Sequence, residues 1–302
     1  MRFSVIIPTC NRPKELRICL ATLGRLLEDM ASDQVEVIVT DDGRLRPVTD
    51  DDLQDLPWVK RIVGPAKGPA ANRNFGAAMA SGEVLLFLDD DCIPEANYLK
   101  SFFDFWRESD PASLTISYGP TIPLGPMESL LFEAPDNTDG QALISSNFSI
   151  GKTSLSQVGG FDGRYPSAAF EDTEFFERFG RLGGKTIFLR SAAVSHPYRR
   201  LRNPKNLAKK WEAKVIFALD QGATPFSLYY RVPWHVLRVI VSRFRGKKAS
   251  RRNFQAAALF ACEWLWTLIL CPVWISKWMH RERSEFWVMQ RSSGPAVPRH
   301  GL

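Results

Sequence analysis

Three consecutive carboxylates, Asp89, Asp90 and Asp91, follow directly after the apolar run from Val84 to Leu88. That run, preceded by Ser81-Gly82, predicts a buried β-strand with the acids at its carboxyl end. Open α/β sheets bind their ligands at that edge. Like charges at adjacent positions repel unless a cation lies between them, and carboxylate oxygens suit Mg2+ and Mn2+. The run therefore predicts a divalent metal site that holds phosphate groups, with a solvated acidic turn as the alternative.

Strand and helix patterns alternate over the first hundred residues, which predicts an α/β fold with a doubly wound, mixed but mostly parallel sheet. No Gly-x-Gly-x-x-Gly follows the first strand, and no P-loop motif occurs, so dinucleotide-binding and P-loop folds are disfavoured. We expect strands at 3–7, 35–39, 61–63, 84–88, 114–118, 142–150 and 185–189, and helices at 69–80, 96–107 and 173–182. A further helix, capped by Asn11, starts at Pro13 and buries Leu16, Cys19, Leu20, Leu23 and Leu27.

The charge of the chain is divided unevenly. Residues 1–198 hold 19 Lys/Arg against 28 Asp/Glu, net −9, whereas residues 199–302 hold 20 against 5, net +15. A chain of 302 residues can form one large domain, or one domain with an appendage. The two parts are therefore expected to face different partners.

The cysteines and the amino terminus indicate a cytoplasmic protein. Five cysteines are scattered without a Cys-x-x-Cys pair, so neither a disulfide framework nor a structural zinc site is expected. The apolar stretch from Val5 to Ile7 is far shorter than the core of a signal peptide and runs into Pro8. We expect no export signal there.

Several short motifs, taken in order, resemble those of the inverting glycosyltransferases of family 2, which have the GT-A fold. Each motif is weak alone, and their order makes the resemblance specific over about the first two thirds of the chain. The matching stretches are Ser4-Val5-Ile6-Ile7-Pro8-Thr9 with Asn11-Arg12, Val37 to Gly43, Gly68 to Asn74 with Gly76, Phe87 to Asp91, Asn147 to Ile150, Val158 to Asp162, and Glu171 to Glu174.

The resemblance implies a site for a nucleotide-diphosphate sugar, of which a uridine diphosphate sugar is favoured. In that family, the loop after the first strand and the Asp-Asp-Gly turn after the second hold the base and ribose. An arginine of the following helix approaches the nucleotide, although an exposed helix charge is the alternative for that residue. Asp41 could merely cap its turn. The donor-binding residues implied in this way are Pro8, Thr9, Arg12, Asp42, Arg73 and Asp90.

The same resemblance implies that Mn2+ or Mg2+ is a cofactor. Asp89 and Asp91 match the Asp-x-Asp motif that binds the metal and, through it, the diphosphate, while Asp90 could share either duty. His196 matches a further metal ligand of some family members. A lone histidine at the surface or at the edge of the core is the alternative for His196.

Asp172 is the candidate general base. Inverting transfer needs one group to take the proton of the acceptor hydroxyl as its oxygen attacks the anomeric carbon, and a carboxylate suffices. Glu171 and Asp172 also begin a predicted helix, where acids favour the positive end of the helix dipole without any catalytic duty. The surrounding motifs favour catalysis.

The carboxyl-terminal hundred residues are basic and rich in aromatic side chains. Residues 254–279 contain four tryptophans, but Glu263 and Pro272 interrupt the stretch, and its apolar core from Trp264 to Ile275 is shorter than the roughly twenty residues of a membrane span. We expect a helix in the headgroup region of an anionic membrane, with a packed helical hairpin as the alternative. Nucleic-acid binding is disfavoured because the aromatics do not alternate with basic residues.

Together these patterns predict a catalytic domain over 1–200, with a nucleotide-binding half (1–95) and an acceptor half (96–200), and a basic helical region over 201–302. The expected function is metal-dependent, inverting transfer of a sugar to a hydroxyl acceptor on a lipid-linked or cell-envelope glycan, at the inner face of the cell membrane. A nucleotidyltransferase and a non-catalytic sugar-nucleotide-binding or scaffold protein are the alternatives.

Overall fold

The computed structural model describes residues 1–28, 34–247 and 250–281. The chain divides into two compact units. Unit 1 comprises Met1–Pro126 and Ala134–Tyr198, and unit 2 comprises Met127–Glu133 and the chain from Arg199 onward. The segment Met127–Glu133 was not expected to leave the first unit. The part of the predicted basic region beyond residue 281 lies outside the described residues.

Among the described residues, unit 1 is built on a seven-stranded sheet in the order β10-β6-β9-β4-β1-β2-β3. Neighbouring strands from β4 to β3 run parallel, and β9 runs antiparallel to both β4 and β6. The expected doubly wound, mostly parallel sheet is therefore confirmed. Its strands are β1 (Phe3–Thr9), β2 (Val35–Asp41), β3 (Val59–Val63), β4 (Val84–Leu88), β6 (Thr115–Tyr118), β9 (Asn147–Gly151) and β10 (Lys185–Phe188).

Helices cover both faces of this sheet because successive strand residues point to opposite sides. Val5 and Ile7 of β1 pack with helices α1 (Pro13–Leu27) and α3 (Tyr98–Arg107). Ile6 lies on the other face, in the core that receives α2 (Pro69–Met79) and α5 (Glu171–Arg181). The acids that follow β4 begin directly after its last core residue, Leu88. Unit 1 also contains α4 (Lys152–Val158) and a 3-10 helix at Asp51–Leu53.

A small second sheet brings the end of unit 1 back to the central strands. Its strand order is β5-β11-β7, and Ile93 and Pro94 of β5 pair antiparallel with Ser195 and Val194 of β11. Since β5 begins two residues after Asp91, this pairing brings His196 beside the acids. The strands are β5 (Ile93–Pro94), β7 (Thr121–Pro123) and β11 (Val194–His196).

Two local expectations are wrong. Asn11 does not cap α1: the cap is Arg12, and the Asn11 side chain instead accepts hydrogen bonds from the backbone of 44–46. The strand expected over 142–150 starts only at Asn147, because the preceding residues form turns around Asn137 and Asp139. Both errors concern side chains that bond to a turn, where the pattern of apolar residues carries no information.

Unit 2 is helical, apart from a short pair of strands formed by β8 (Phe132–Glu133) and β12 (Arg199–Arg200). Its longest helices pack as a hairpin, in which the Trp264 indole donates to the Pro233 carbonyl at 3.0 Å. Leu130, Leu207, Ala256 and Phe260 form its core with Leu201. The helices are α6 (Pro204–Lys209), α7 (Trp211–Asp220), α8 (Pro225–Phe244) and α9 (Arg251–Trp278).

Candidate active site

The predicted site residues of unit 1 meet where β1, β2 and β4 end. Because β1 lies between β2 and β4 and is parallel to both, Thr9, Asp41 and Asp89 emerge at one edge of the sheet. The backbone amide of Asp42 donates to the Thr9 carbonyl at 2.9 Å, which joins two of these ends directly. The sheet therefore assembles the candidate site from segments that are far apart in the chain.

Asp90 forms the floor of this site. Its carboxylate is fully buried, accepts from Thr9 Oγ1 at 2.7 Å and pairs with Arg12 Nη2 at 2.8 Å. Burial raises the pKa of Asp90 to about 7, although the Arg12 guanidinium acts in the opposite direction. Asp90 thus positions the loop that carries Thr9 and Arg12, and its direct contact with a nucleotide stays a prediction.

Asp91 and His196 form a candidate metal centre. Asp91 Oδ1 lies 3.2 Å from His196 Nε2, both side chains are nearly fully buried, and Cys92 Sγ lies within 4.8 Å of the ligand atoms of both. His196 Nδ1 lies 2.8 Å from the carbonyl of Pro197. If Nδ1 donates to that carbonyl, the lone pair of Nε2 faces a carboxylate oxygen. A cation bound to both atoms would remove the repulsion between them.

The ligand atoms of this centre suit Mn2+ better than they suit an ion that binds oxygen atoms only. Imidazole and carboxylate together suit transition metals, and a backbone carbonyl on the second ring nitrogen is the usual orienting contact of a metal-binding histidine. Arg12 Nη1 lies 3.1 Å from Asp91 Oδ2 and supplies positive charge at the same carboxylate. Asp89 is not part of this cluster, so its predicted role as a metal ligand stays a prediction.

Asp89 instead pairs with Arg73, a residue of α2. Arg73 Nη2 lies 2.9 Å from Asp89 Oδ1, and Arg73 Nη1 lies 3.1 Å from Glu171 Oε1. The guanidinium is almost fully buried and lies over the Phe161 ring, 5.5 Å from its centroid. The alternative of an exposed helix charge is therefore wrong for Arg73, which connects the strand-end acids to the start of α5.

Glu171 was not expected to be a site residue. It is 2% exposed, and burial raises its pKa to about 7, with a further increase from the neighbouring Asp172. Phe170, just before it, has a left-handed backbone conformation with φ of 62°, which sets the direction in which α5 begins. The sequence signal for Glu171 was the acidic pair itself, which does not reveal which acid points inward.

Asp172, the predicted base, is partly exposed at the first turn of α5. Its Oδ1 accepts from the backbone amide of Thr173 at 2.8 Å. Its charge raises the pKa of both Arg73 and Glu171, and the charge of Asp89 also raises the pKa of Arg73. Asp172 thus acts electrostatically on Arg73, which Asp89 contacts directly, and catalysis by Asp172 stays a prediction.

The turn after β2 divides its two acids between different partners. Asp41 accepts from the amides of Gly43 and Val48, both at 2.7 Å. It therefore caps the turn, which is the role that the sequence analysis considered for it. Asp42 Oδ1 accepts from the amide of Ala66 at 2.8 Å.

Asn72, which sequence reasoning missed, donates to the Thr40 carbonyl at 2.9 Å and fixes α2 against the strand ends. Pro8 is buried within β1.

Comparisons with known proteins show a similarity to glycosyltransferases. Residues 4–129 match the model of Glycosyl transferase family 2. The Pre-mycofactocin glycosyltransferase of Mycobacterium tuberculosis is 28% identical over 255 residues, covering 79% of this chain and 50% of that protein. The Validoxylamine A glucosyltransferase of Streptomyces hygroscopicus is 32% identical over 140 residues, covering 44% of this chain and 30% of that protein. The chain spans half or less of the length of these curated relatives.

Solved structures support the same fold. S. aureus TarS 1-349 in complex with UDP aligns with a TM-score of 0.50 and 19% identity over 93% of this chain and 93% of that one. The complex of TarS 1-349 with UDP-GlcNAc aligns with a TM-score of 0.50 and 22% identity over 72% of this chain and 66% of that one. The sheet of unit 1 is therefore GT-A-like, and residues 4–129 are similar to glycosyltransferase family 2.

Proposed function

We propose that this chain is a metal-dependent, inverting glycosyltransferase that moves a sugar from a nucleotide-diphosphate donor to a hydroxyl acceptor. The observation that carries the proposal is the bridge made by Arg73 between Asp89 and Glu171, at 2.9 and 3.1 Å. It connects the acids after β4 with the acidic pair at the start of α5. A donor diphosphate needs positively charged groups, and the attack of an acceptor hydroxyl needs a carboxylate that takes its proton.

Asp91 and His196 would hold the metal, with Asp89 as a predicted third ligand. A bound Mn2+ or Mg2+ supplies Lewis-acid stabilisation of the charge that grows on the departing diphosphate. Arg12 contributes a fixed positive charge beside Asp90 and Asp91, and it can bond phosphate oxygens as a bidentate donor. Thr9, Pro8 and Asp42 would contact the nucleoside from the ends of β1 and β2.

Asp172 would act as the general base. Its partial exposure allows a hydroxyl to approach within hydrogen-bond distance, whereas Glu171 is enclosed and bonded to Arg73. Glu171 would therefore hold Arg73 in place, and Asp172 would take the proton of the attacking oxygen. This division assigns different duties to two adjacent acids because their burial differs.

A uridine diphosphate sugar is the proposed donor, and a lipid-linked or cell-envelope glycan is the proposed acceptor. TarS has been solved with UDP and with UDP-GlcNAc, and its name describes a poly(ribitol-phosphate) beta-N-acetylglucosaminyltransferase. These names support a donor with a uridine nucleotide and a polymeric acceptor. We place the reaction in the cytoplasm, at the inner face of the cell membrane.

Two variants test the proposal. Asp172→Asn should lower transfer from a UDP-sugar to membrane-extract acceptors by at least 100-fold and leave the Kd for UDP and Mn2+, measured by calorimetry, within about threefold. Asp91→Ala should abolish the Mn2+ dependence of UDP binding. Glu177→Gln, a carboxyl-to-amide change on the same helix, is the matched control.

Full turnover by the Asp172→Asn variant would remove the assignment of the base. UDP-sugar binding by the unaltered protein without transfer to any acceptor would favour a non-catalytic sugar-nucleotide-binding protein. Transfer that is unchanged by chelation and by Asp91→Ala would remove the metal centre from the mechanism.

A further inference from the structure

Helix α9 of unit 2 exposes a long apolar face. Its large exposed side chains are Leu265, Leu268, Ile269 and Val273, which are 39–60% exposed, and Phe254, which is 77% exposed. Their spacing follows the helical repeat, with the small exposed residues at 258, 261 and 262 between them. We call these side chains the outer face of α9. An unbroken exposed stripe of this length is unusual on a soluble surface.

The opposite face of α9 is packed inside unit 2. Phe260, Glu263, Cys271 and Trp274 are all buried there, and Glu263 Oε1 accepts from the Trp211 indole at 2.8 Å. Glu263 is the only charged residue between Phe254 and Ser276, so the outer face carries no charge over that length. The one acid of this stretch is thus bonded inside unit 2, on the side of the helix opposite to the outer face.

The acids of residues 199–281 are covered, whereas many cations of the same stretch are exposed. From residue 199 to residue 281 the sequence contains three acids, and all are largely buried: Glu212 with 13% of its side chain exposed, Asp220 and Glu263. Exposed cations of the same stretch are Arg199, Arg200, Arg202, Lys205, Lys209, Arg238, Arg245, Lys247, Arg251, Arg252, Lys277 and Arg281. The surface of this stretch is therefore strongly positive.

Positive charge lies at both ends of the outer face. Arg251 and Arg252 precede Phe254, and Lys277 and Arg281 follow the last apolar turn. Arg200 and Arg202 line a cleft of about 550 Å3 with Gln255 and Leu259 of α9, together with Leu131 and Leu201. An apolar stripe bordered by cations matches the acyl boundary and the headgroups of an anionic bilayer.

We propose that the outer face of α9 is a docking surface for a membrane that contains anionic phospholipid. Leu265, Ile269 and Val273 would enter the boundary between headgroups and acyl chains, and the flanking arginines would contact lipid phosphates. The inference deepens the proposed function, on which it rests for the location of a lipid-linked acceptor. It makes unit 2 the part of the chain that brings the enzyme to that acceptor.

Lying on the membrane fits the structure better than crossing it. Among the described residues α9 is the helix with the length and composition to span a bilayer. A spanning helix would place its whole circumference in lipid, including Glu263 and the face that packs on α6, α7 and α8. Docking by the outer face alone leaves that packing and the Glu263 hydrogen bond intact.

A second copy of the chain is a poorer occupant of this face. Two copies meeting through α9 would bring together two surfaces of the same positive charge, and Glu128, which lies 3.7 Å from Arg252, is an exposed acid of unit 2 that offsets only a part of that charge. An anionic bilayer has the opposite charge. Charge complementarity therefore favours lipid.

The proposal of membrane docking does not depend on the tryptophans of α9. The sequence suggested that those of residues 254–279 anchor a membrane helix, but Trp274 and Trp278 are buried, and Trp264 donates inward to Pro233. On α8, Trp234 is 62% exposed, in a stripe with Phe226 and Tyr230 at intervals of four residues. Trp234 is thus an exposed tryptophan of α8 and not a residue of the outer face of α9.

The test is co-sedimentation of the full chain with vesicles of phosphatidylglycerol and phosphatidylcholine, without donor or acceptor. The triple variant Leu265→Glu, Ile269→Glu, Val273→Glu should bind at least tenfold more weakly than the unaltered chain. Ile18→Glu replaces a 57% exposed apolar residue on a helix of unit 1 and should leave vesicle binding unchanged. Circular dichroism and urea unfolding check that both variants fold.

A second experiment measures how much the exposed arginines contribute to vesicle binding. Arg200→Gln with Arg202→Gln should weaken binding to the anionic vesicles by about fivefold per charge removed, and vesicles of phosphatidylcholine alone should bind neither form strongly. Equal binding to neutral and anionic vesicles would overturn the electrostatic part of the proposal. Unchanged binding by the triple glutamate variant would overturn the docking face.

Two further outcomes also overturn the proposal. Retention of the chain in membranes washed with alkaline carbonate would show a spanning helix, and a dimer that the triple variant dissociates without a change in vesicle binding would show a second copy on the face. Calorimetry of UDP and Mn2+ uses no vesicles, so it tests the proposed function independently of membrane docking. If the unaltered chain bound UDP and Mn2+ but not the vesicles, the docking proposal would fail and the proposed function would stand.

Discussion

At the scale of single residues, the candidate site is a chain of alternating charges held by burial. Asp89, Arg73 and Glu171 form one such chain, and Asp90, Arg12 and Asp91 form another. Burying a charge is costly unless a partner compensates for it, so each carboxylate has an arginine within about 3 Å. The compensation is incomplete for Asp90 and Glu171, whose pKa values are each raised to about 7.

The raised pKa of Glu171 predicts how stability changes with pH. Its ordinary pKa is 4.5 and its pKa in the fold is about 7, so the folded protein binds a proton that the unfolded chain releases between those values. The free energy of unfolding therefore falls as pH rises from about 4.5 to 7, by a contribution on the order of 3 kcal/mol. Glu171→Gln should remove this part of the decrease.

Urea unfolding in metal-free buffer at pH 5 and pH 7.5 measures the effect. The unaltered chain should lose more stability between the two pH values than Glu171→Gln does. Glu177→Gln on the same helix controls for exchanging a carboxyl for an amide. Parallel pH dependences for the unaltered chain and Glu171→Gln would show that Glu171 is ionised throughout.

A second prediction at this scale concerns Asn11, whose φ is 59° and whose Oδ1 accepts from the amides of 44–46 at 2.8–3.1 Å. Asn11→Gly keeps the left-handed conformation but loses the acceptor, and should cost about 1 kcal/mol of unfolding free energy. Asn11→Ala loses both and should cost about 2 kcal/mol. Urea unfolding gives the order, and an alanine variant at least as stable as the glycine variant would contradict the backbone argument.

At the scale of elements, α2 is the helix that orients the site. Asn72 and Arg73 point from it to the strand ends, and Gly76 lies against the sheet one turn later. A Cβ at Gly76 would lie 2.5 Å from Ile6 Cγ2 and 3.1 Å from Thr40 Cγ2. The absence of a side chain at Gly76 therefore sets how closely α2 approaches β1 and β2.

Gly76→Ala should consequently destabilise unit 1 by about 1–3 kcal/mol, because a buried branched side chain cannot move aside freely. It should also weaken UDP binding, since Arg73 would shift with the helix. Gly180→Ala on α5 is the matched control: nothing lies within 4 Å of its Cβ, and the change should stabilise the helix by about 0.5–1 kcal/mol. Urea unfolding and calorimetry measure both, and equal effects of the two variants would contradict the close packing of α2.

Much of the element order could be predicted from the sequence because apolar periodicity reports which faces are buried. The strand Val84–Leu88 has the expected bounds, and α2 and α5 end or begin within two residues of expectation. What could not be predicted depends on contacts distant in sequence. Glu171 becomes a site residue only because α5 begins beside Arg73, and Asn11 bonds to a turn more than thirty residues away. Local patterns hold no information on either pairing.

At the scale of the whole molecule, the two units differ in charge, in architecture and in the number of tryptophans that report on their folding. Unit 1 is an acidic α/β unit, and unit 2 is a basic helical one. Of the tryptophans in the described part of the chain, Trp58 and Trp106 lie in unit 1. Intrinsic fluorescence therefore reports chiefly on unit 2, which contains Trp211, Trp234, Trp264, Trp266, Trp274 and Trp278.

This difference makes the core of unit 2 testable by itself. Phe260 is 1% exposed and packs with Leu130, Leu207 and Ala256, so Phe260→Ala should lower the free energy of unfolding seen by tryptophan fluorescence by about 3–5 kcal/mol. Phe254→Ala makes the same change on the same helix at a 77% exposed position and should cost less than about 0.5 kcal/mol. Equal losses would mean that α9 does not divide into a packed face and an outer face, and membrane docking through the outer face would lose its basis.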